Sequence, residues 1–234
     1  MLNELELTGR ARTHVVQRND LGAALQRDTL EPFFAMKEAA ARDGLIIDIV
    51  SAFRDFSAQQ NIWDRKFRGE RPLYDEHGNL REHAKLSEVE LIDAIVCWSA
   101  VPGGSRHHWG TEIDVIDRAA LPENYRVRLL PEEAAPGGVF HRLHQWLDEN
   151  MASFGFYRPY RAFHGGFYPE PWHLSYAPVS AVALQLFTPE LFKEAVRTSS
   201  MLGKEQVLER IAGIYRQYVA NVDSPELPGR QAAV

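Results

Sequence analysis

The chain has 234 residues, of which 45% are apolar and 25% charged, so it is long enough to bury a core and lies outside the disordered and fibrous classes. Its 26 basic and 32 acidic residues give a formal net charge of -6, which argues against a nucleic-acid or an anionic-lipid partner. We therefore expect a globular protein with no nucleic-acid partner.

The first seven residues carry acids where a secretory signal peptide carries lysine or arginine. The longest apolar stretches are far shorter than the roughly 20 residues of a membrane helix. The sequence therefore predicts a cytoplasmic protein without a membrane span. No feature of the sequence indicates an oligomeric state.

Helices and strands are mixed in the first half of the chain. The pattern predicts a helix over 31–44, with proline in its first turn, and then a buried strand over 45–50. Ser57 begins a predicted capping box for a second helix. A polar loop over 70–86 follows, and Ser87 begins the capping box of a third helix.

The second half of the chain is predicted to hold short strands followed by helices. Ile113 and Val115 alternate with acidic residues, which is typical of a half-buried strand. The later predicted elements are a loop over 122–138, a helix ending at Gly155, strands over 155–160 and 167–176, helices after Pro178 and from the Thr188 cap, a final helix over 207–218, and a loose tail from about Asp223. Strands among helices without a regular βαβ order predict an α+β fold.

The whole pattern predicts one domain over 1–222 and a tail over 223–234. The core of that domain is expected at about 30–178, with a C-terminal helical extension over 179–222.

Two segments about sixty residues apart, 105–114 and 170–173, carry the residue types of a catalytic zinc site. The imidazoles of His107 and His173 and the carboxylate of Asp114 make a three-ligand set that leaves the fourth position of a tetrahedral Zn²⁺ open to water. The spacing from His107 to Asp114 is a weak signal when taken alone. The second segment strengthens it, because Glu170 lies three residues before His173, where it can hold that water.

Each of these residues also has a structural interpretation. A lone buried histidine is more often a hydrogen-bonded residue than a ligand, and an aspartate at a strand end often faces solvent. Glu170 and His173 point to opposite faces of an ideal strand, so a shared site needs a bend, with which Pro171 is consistent. Trp172 is expected in the core or a pocket wall. The remaining histidines that we expect at the surface are His14, His77, His83, His141 and His144.

The motif Ser105-x-His107-x-x-Gly110-x-x-x-Asp114, followed by Glu170-Pro171-Trp172-His173, resembles the zinc D-alanyl-D-alanine carboxypeptidases of the VanY type. The segment Ser51-Ala52-Phe53-Arg54, with Gln59 five residues after the arginine, is similar to the family's Ser-Gly-Tyr-Arg segment. The resemblance covers roughly residues 45–177. It implies a hedgehog/DD-peptidase-like fold, in which a small central antiparallel sheet is flanked by helices.

The resemblance implies a role for each motif residue. The implied set is the zinc ligands His107, Asp114 and His173, the catalytic base Glu170, the oxyanion partner Arg54, and the substrate-binding residues Ser105 and Gln59. The implied activity is zinc-dependent removal of the terminal D-alanine from a peptidoglycan stem peptide or muropeptide. Three alternatives stay open: an L,D-carboxypeptidase for recycled tetrapeptides, a lysin-type endopeptidase and a non-catalytic zinc-binding module.

The chain departs from the family pattern at several positions. Ala52 and Phe53 replace the usual glycine and tyrosine, and Glu112 stands where the family commonly has alanine. Since side chains alternate along a strand, Glu112 is predicted on the same face as Asp114, where it can crowd or tune the site. His108 is a rival ligand, although adjacent strand residues point apart.

Overall fold

The computed structural model describes residues 1–225 and has an α+β fold. Within these residues six strands are present, which are β1 Val15–Arg18, β2 Ala23–Gln26, β3 Ile47–Ser51, β4 Glu112–Asp117, β5 Phe156–Tyr157 and β6 His173–Tyr176. Strands β1 and β2 form a hairpin, and the other four form an antiparallel sheet in the order β3-β4-β6-β5. The expected small antiparallel sheet is confirmed.

Helices surround this sheet. Their bounds are α1 Glu4–Leu7, α2 Leu30–Arg42, α3 Phe56–Phe67, α4 Glu88–Val96, α5 Pro131–Ala134, α6 His141–Asn150, α7 Ala177–Leu186, α8 Pro189–Arg197, α9 Lys204–Glu209 and α10 Ile211–Ile214. Short 3₁₀ turns lie at Arg27–Thr29, His83–Lys85, Arg106–Trp109, Arg118–Ala120 and Met151–Phe154, and a π-helical turn covers Tyr215–Val219. No helix among residues 1–225 has the length and apolar character needed to cross a bilayer.

The two faces of the sheet have different chemistry. Ile113, Val115 and Leu174 are fully buried in a cluster with side chains of α2 and α6. Strand β4 pairs Asp114 with His173 of β6, and cross-strand partners in an antiparallel sheet point to the same face. One face of the sheet therefore packs into the core, and the opposite face carries the polar side chains of the site.

A second hydrophobic cluster joins the C-terminal helices to α3 and α4. Ile92 and Ile95 of α4 pack in the same cluster as Val207 and Ile214. The indole Nε1 of Trp63 also donates a hydrogen bond to Leu202 O at 2.9 Å. The segment predicted as an extension therefore shares its core with the helices that border the site.

Several predicted elements are confirmed. Helix α2 and strand β3 lie where the pattern placed them, and Ser87 and Glu90 form the expected capping box of α4. The Thr188 hydroxyl likewise accepts a hydrogen bond from Leu191 N at the start of α8.

Other predictions were wrong in detail. The N-cap of α3 is Asp55, whose carboxylate accepts from Ala58 N at 2.8 Å, and Ser57 only donates to that carboxylate. Strand β4 is buried along its whole length, because it lies between β3 and β6 and is covered on both faces. The hairpin of β1 and β2 was not predicted. The strands predicted over 155–160 and 167–176 shorten to β5 and β6.

The end of the chain also differs from its prediction. The last helix is interrupted between α9 and α10 and then widens into the π-helical turn. Asp223, predicted to begin a loose tail, donates its backbone N–H to Pro159 O at 2.9 Å. Residues 226–234 of the predicted tail lie outside the described residues.

Candidate active site

Strand register brings the three predicted ligands together. Asp114 and His173 are direct cross-strand partners, and His107 lies in the 3₁₀ turn that leads into β4. Gly110 ends this turn with φ of 69°, where an added Cβ would lie 2.9 Å from Gln26 N. Glycine therefore permits the close turn that returns His107 over the strand. His107 Nε2 lies 3.4 Å from Asp114 Oδ2, and His173 Nδ1 lies 3.1 Å from Asp114 Oδ1.

Hydrogen bonds define which nitrogen each histidine offers. His107 Nδ1 lies 2.7 Å from Ala52 O, and His173 Nε2 lies 2.8 Å from Glu112 Oε2. Carbonyl and carboxylate oxygens can only accept here, so both ring nitrogens donate. In the neutral rings the remaining lone pairs are therefore on His107 Nε2 and His173 Nδ1, which are the two atoms facing Asp114.

These donor atoms suit a zinc ion. Asp114 Oδ1 and His173 Nδ1 are buried and without a hydrogen-bond partner, although they are neighbours. One ligand atom from each of the three residues lies within 4.8 Å of the others. Tetrahedral zinc with bonds of about 2.1 Å places its ligand atoms about 3.4 Å apart, close to the observed separations. Two imidazoles and one carboxylate also leave a fourth position for water.

The charges in the cluster favour metal binding. Burial and the nearby Arg54 lower the pKa of His107 to about 3, so its ring is neutral and its lone pair is available. Burial opposes ionisation of Asp114, but His107 and His173 hold the pKa of this carboxyl at about 2. Burial also opposes a charge on His173, yet the neighbouring carboxylates of Asp114 and Glu112 raise its pKa to about 10. The carboxylates therefore favour a cation at this position.

Glu170 lies beside the ligand cluster, as the sequence predicts. Its Oε2 is 3.4 Å from His173 Nδ1 and its side chain is mostly buried. The required bend is present, because His173 N donates to Glu170 O at 3.1 Å in a turn before β6. Burial raises the pKa of Glu170 to about 7, against the attraction of His173 and Arg54. A carboxyl group with this pKa can take and return a proton near neutral pH.

Arg54 faces the same cavity, but Gln59 lies behind it. Arg54 Nη1 donates to Gln59 Oε1 at 2.9 Å, and Gln59 Nε2 donates to Ala100 O at 2.7 Å. Gln59 is fully buried, and both ends of its amide are occupied by these protein partners. The predicted contact of Gln59 with substrate is therefore not what the structure shows. Gln59 holds Arg54 in place instead.

Ser105 lines the cavity as expected, whereas His108 does not join the ligands. His108 Nδ1 donates to Arg54 O at 2.7 Å, and its Nε2 accepts from Gly103 N at 3.1 Å. Two of the histidines predicted at the surface are also buried. The His144 residue is 5% exposed, and the His14 side chain is 4% exposed and contacts His108 O.

The cavity in front of the cluster has a volume of about 800 Å³ and a partly cationic wall. Lys66 and Arg71 line it, and among residues 1–225 neither has a carboxylate within 4.0 Å. Lys66 Nζ donates to Ser99 Oγ at 2.7 Å. Burial lowers the pKa of Lys66 to about 8, opposed in part by Glu170. Sequence reasoning missed both residues, since nothing in their local sequence distinguishes them from surface cations.

Aromatic side chains complete the wall. The Tyr160 ring meets the His173 ring edge-on with centroids 5.0 Å apart, and Trp98 stacks on Trp172 at 6.4 Å. Both tryptophans and Tyr160 line the cavity, which agrees with the expectation of a pocket-wall position for Trp172. Apolar walls around a few charged groups are typical of a ligand-binding cavity.

The fold and these residues define a cluster of two histidines and one aspartate that could hold one zinc ion, with an adjacent carboxylate in a ligand-sized cavity. A sequence profile of the family described as VanY, D-alanyl-D-alanine carboxypeptidase, matches residues 22–179. The chain belongs to this family, and the resemblance found in the sequence is confirmed.

Individual relatives agree with the family. A Haemophilus influenzae protein described as uncharacterized is 35% identical over 127 residues, covering 53% of this chain and 95% of that protein. VanYB in complex with D-alanine-D-alanine has a TM-score of 0.53 at 22% identity, covering 82% of this chain and 92% of that structure.

Two further solved structures share the fold. A VanY D,D-pentapeptidase variant in complex with Zn(II) has a TM-score of 0.51 at 22% identity, covering 79% of this chain and 90% of that structure. The LD-carboxypeptidase LdcB also has a TM-score of 0.51, at 17% identity, covering 83% of this chain and 82% of that structure. The fold is therefore common to structures described as D,D- and as L,D-enzymes.

Proposed function

We propose that this chain is a zinc-dependent carboxypeptidase that hydrolyses the terminal D-alanine from peptidoglycan stem peptides. One observation carries the proposal: the three donor atoms, Glu170 and Arg54 all face one cavity. Family membership supports it, as does the D-alanine-D-alanine complex of a protein with the same fold. A metal site that was only structural would need neither Glu170 nor Arg54.

The protein groups have distinct roles in the proposed reaction. Zinc at His107, Asp114 and His173 would supply a Lewis acid and an activated water near neutral pH. Glu170 takes the proton of the attacking water and returns it to the leaving amine. Arg54 faces the cavity and stabilises the negative charge that develops on the carbonyl oxygen. Gln59 and its bond to Ala100 keep the guanidinium in position for that task.

We assign binding of the substrate's C-terminal carboxylate to the cationic wall of the cavity, which contains Lys66 and Arg71. A carboxypeptidase must bind a free carboxylate one residue beyond the scissile carbonyl. Lys66 lies close enough to Glu170 for the two charges to interact, and Arg71 interacts with Lys66 in turn. These two cations, together with Ser105, offer the carboxylate site that the sequence had assigned to Gln59 and Ser105.

The same groups serve a D,D- or an L,D-bond, because both substrates end in a free D-alanine carboxylate. The LdcB fold match supports the L,D alternative as strongly as a VanY match supports the D,D activity. The two substrates differ on the other side of the scissile carbonyl. Pentapeptide carries D-alanine there, and tetrapeptide carries the stem diamino acid.

Purified protein should be incubated with zinc and with stem tri-, tetra- and pentapeptides, and the products weighed by mass spectrometry. Loss of one D-alanine from pentapeptide alone supports D,D-cleavage, and loss from tetrapeptide supports L,D-cleavage. Cleavage inside the stem would replace the proposal by an endopeptidase. If the protein binds zinc but cleaves none of the peptides, a non-catalytic zinc-binding module would replace the proposed carboxypeptidase.

Glu170→Gln tests the proposed base. This variant removes a proton acceptor that lies beside the ligands, so kcat should fall by about 10²–10⁴-fold. Bound zinc, measured by metal analysis, should stay at the wild-type stoichiometry. The exposed Glu88→Gln provides the matched control and should retain full activity. A Glu170→Gln enzyme with a near-normal kcat would remove Glu170 from the mechanism.

A further inference from the structure

Glu112 lies directly behind the metal ligands and is fully buried. Strand register pairs it with Ser175, just as Asp114 pairs with His173, so all four side chains occupy one face of the sheet. Glu112 and His173 are diagonal neighbours on that face, and Glu112 Oε2 lies 2.8 Å from His173 Nε2. The carboxylate thus contacts the ring nitrogen that does not face the ligand cluster.

Three side chains donate hydrogen bonds to the Glu112 carboxylate. Its Oε1 accepts from Arg106 Nη2 at 3.2 Å, from Ser175 Oγ at 2.7 Å and from Thr111 Oγ1 at 3.1 Å. Arg106 is also buried and donates to Tyr157 Oη at 3.0 Å. The guanidinium of Arg106 lies 3.2 Å from the Glu112 carboxylate, and both side chains are buried. The buried anion is therefore matched by one buried cation.

We propose that Glu112 is a positioning residue of the metal centre, which holds His173 in the tautomer that offers Nδ1 to zinc and which relies on Arg106 for its charge. A carboxylate can only accept from Nε2–H, so it keeps the proton on the nitrogen away from the cluster. Without an acceptor, the ring can place that proton on Nδ1, between His173 and Asp114. A carboxylate partner also makes an imidazole a stronger metal ligand. This inference rests on the zinc centre of the proposed function.

The test measures zinc affinity, by competition with a chromogenic chelator. Replacing Glu112 alone would leave Arg106 as an uncompensated buried charge, so the paired variant Arg106→Met with Glu112→Leu is used. Its dissociation constant for zinc should rise by about 10- to 100-fold. Arg106→Met with Glu112→Gln should recover part of this loss, because the amide oxygen accepts from Nε2–H. Tyr157→Phe removes a contact of Arg106 without touching Glu112 and should bind zinc as the wild type does.

A second readout reports the hydrogen bond itself. In the zinc-loaded wild type, the Nε2–H proton of His173 should give a downfield, slowly exchanging NMR signal. The signal should be lost in the Arg106→Met, Glu112→Leu variant, whose fold is checked by its melting curve. A folded variant that binds zinc within twofold of wild type would overturn the inference. Neither readout depends on hydrolysis, so a chain that binds zinc without cleaving peptides would refute only the proposed function.

Discussion

Lys66→Met removes an ammonium group that lines the cavity without a carboxylate partner among residues 1–225. If Lys66 binds the substrate carboxylate, the variant should weaken binding of peptides that end in a free carboxylate. Methionine keeps most of the side-chain volume, so the helix α3 packing around it is retained. Lys66→Arg should preserve much of the affinity, because it keeps a cation at the same position.

The size of the effect follows from the charge and its surroundings. Unit charges about 4 Å apart attract by about 4 kcal/mol at an effective dielectric constant of about 20. Competition with water reduces the net value of a charged hydrogen bond to about 1.5–3 kcal/mol. For a half-buried lysine we take about 2 kcal/mol, which corresponds to a rise in KM of about 30-fold. Because the contact exists before and during the reaction, kcat should change little.

The assay compares two substrates that differ only at their C-terminus, the free acid and its amide. Wild type should prefer the acid, and Lys66→Met should lose about 30-fold of that preference while its rate on the amide stays unchanged. The matched control is Lys85→Met, which removes an exposed lysine paired with Glu82. This variant should keep the wild-type preference.

The pH dependence gives the same test without a mutation. The pKa of Lys66 is lowered to about 8 by burial, so the free enzyme carries this cation below pH 8 and loses it above. KM for the free-acid peptide should therefore rise as the pH increases through 8 in the wild type. The rise should be absent in Lys66→Met and in Lys66→Arg, because neither side chain titrates there.

One result would refute this account of Lys66. Lys66 also attracts Glu170, so it could act on the base instead of the substrate. In that case Lys66→Met would lower kcat/KM equally for the acid and the amide, and the preference between them would not change. Arg71 and Ser105 would then remain as the carboxylate-binding groups.

Two further predictions concern Gln59 and His144. Gln59→Leu removes the acceptor of Arg54, so kcat should fall roughly tenfold, as expected for the loss of about 1.4 kcal/mol, with zinc content unchanged. Burial and Arg158 lower the pKa of His144 to about 3, below the value of about 6.5 in the unfolded chain. The folded state therefore loses stability as the pH falls below 6.5, and His144→Gln should reduce that loss by about 2 kcal/mol between pH 6.5 and 4.5, measured by urea unfolding.

The Gln59→Leu and His144→Gln predictions each have a control variant elsewhere in the chain. Gln60→Leu changes the neighbouring glutamine, which contacts Asp64 and Ser200 outside the site, and should leave kcat unchanged. His77→Gln changes an exposed histidine and should unfold in urea as the wild type does. If Gln59→Leu and Gln60→Leu lowered kcat equally, the claim that Gln59 positions Arg54 would be refuted. A His144→Gln protein as acid-sensitive as wild type would show that other groups dominate.

The cluster of His107, Asp114 and His173 could be predicted from sequence because each residue belongs to a short motif with a fixed local geometry. The 3₁₀ turn closed by Gly110 and the bend before His173 are both set by neighbouring residues. Lys66 and Arg71 had no such signal. They reach the cavity only through the packing of α3 against α4 and the C-terminal helices, which depends on contacts distant in sequence.

The role of Gln59 shows a different limit. The five-residue spacing between Arg54 and Gln59 predicted that the two side chains lie close together near the start of a helix. They do so at the start of α3. Whether the amide faces the substrate or the protein depends on Ala100 O, a partner 41 residues away. Local spacing predicts which residues are neighbours, and the direction of their hydrogen bonds requires the tertiary structure.

The alternation of side chains along β4 predicts the face on which Glu112 lies but not its neighbours. Alternation along β4 predicted that Glu112 shares a face with Asp114, and the structure confirms this. The period does not give the register with β6, and a shift of two residues would place Glu112 opposite another side chain on the same face. Only the observed pairing of Asp114 with His173 makes Glu112 the diagonal neighbour of His173. That register also places Ser175 opposite the carboxylate, and Arg106 of the preceding 3₁₀ turn donates to it. The acid that could have crowded the site therefore lies behind it, bonded to His173 Nε2.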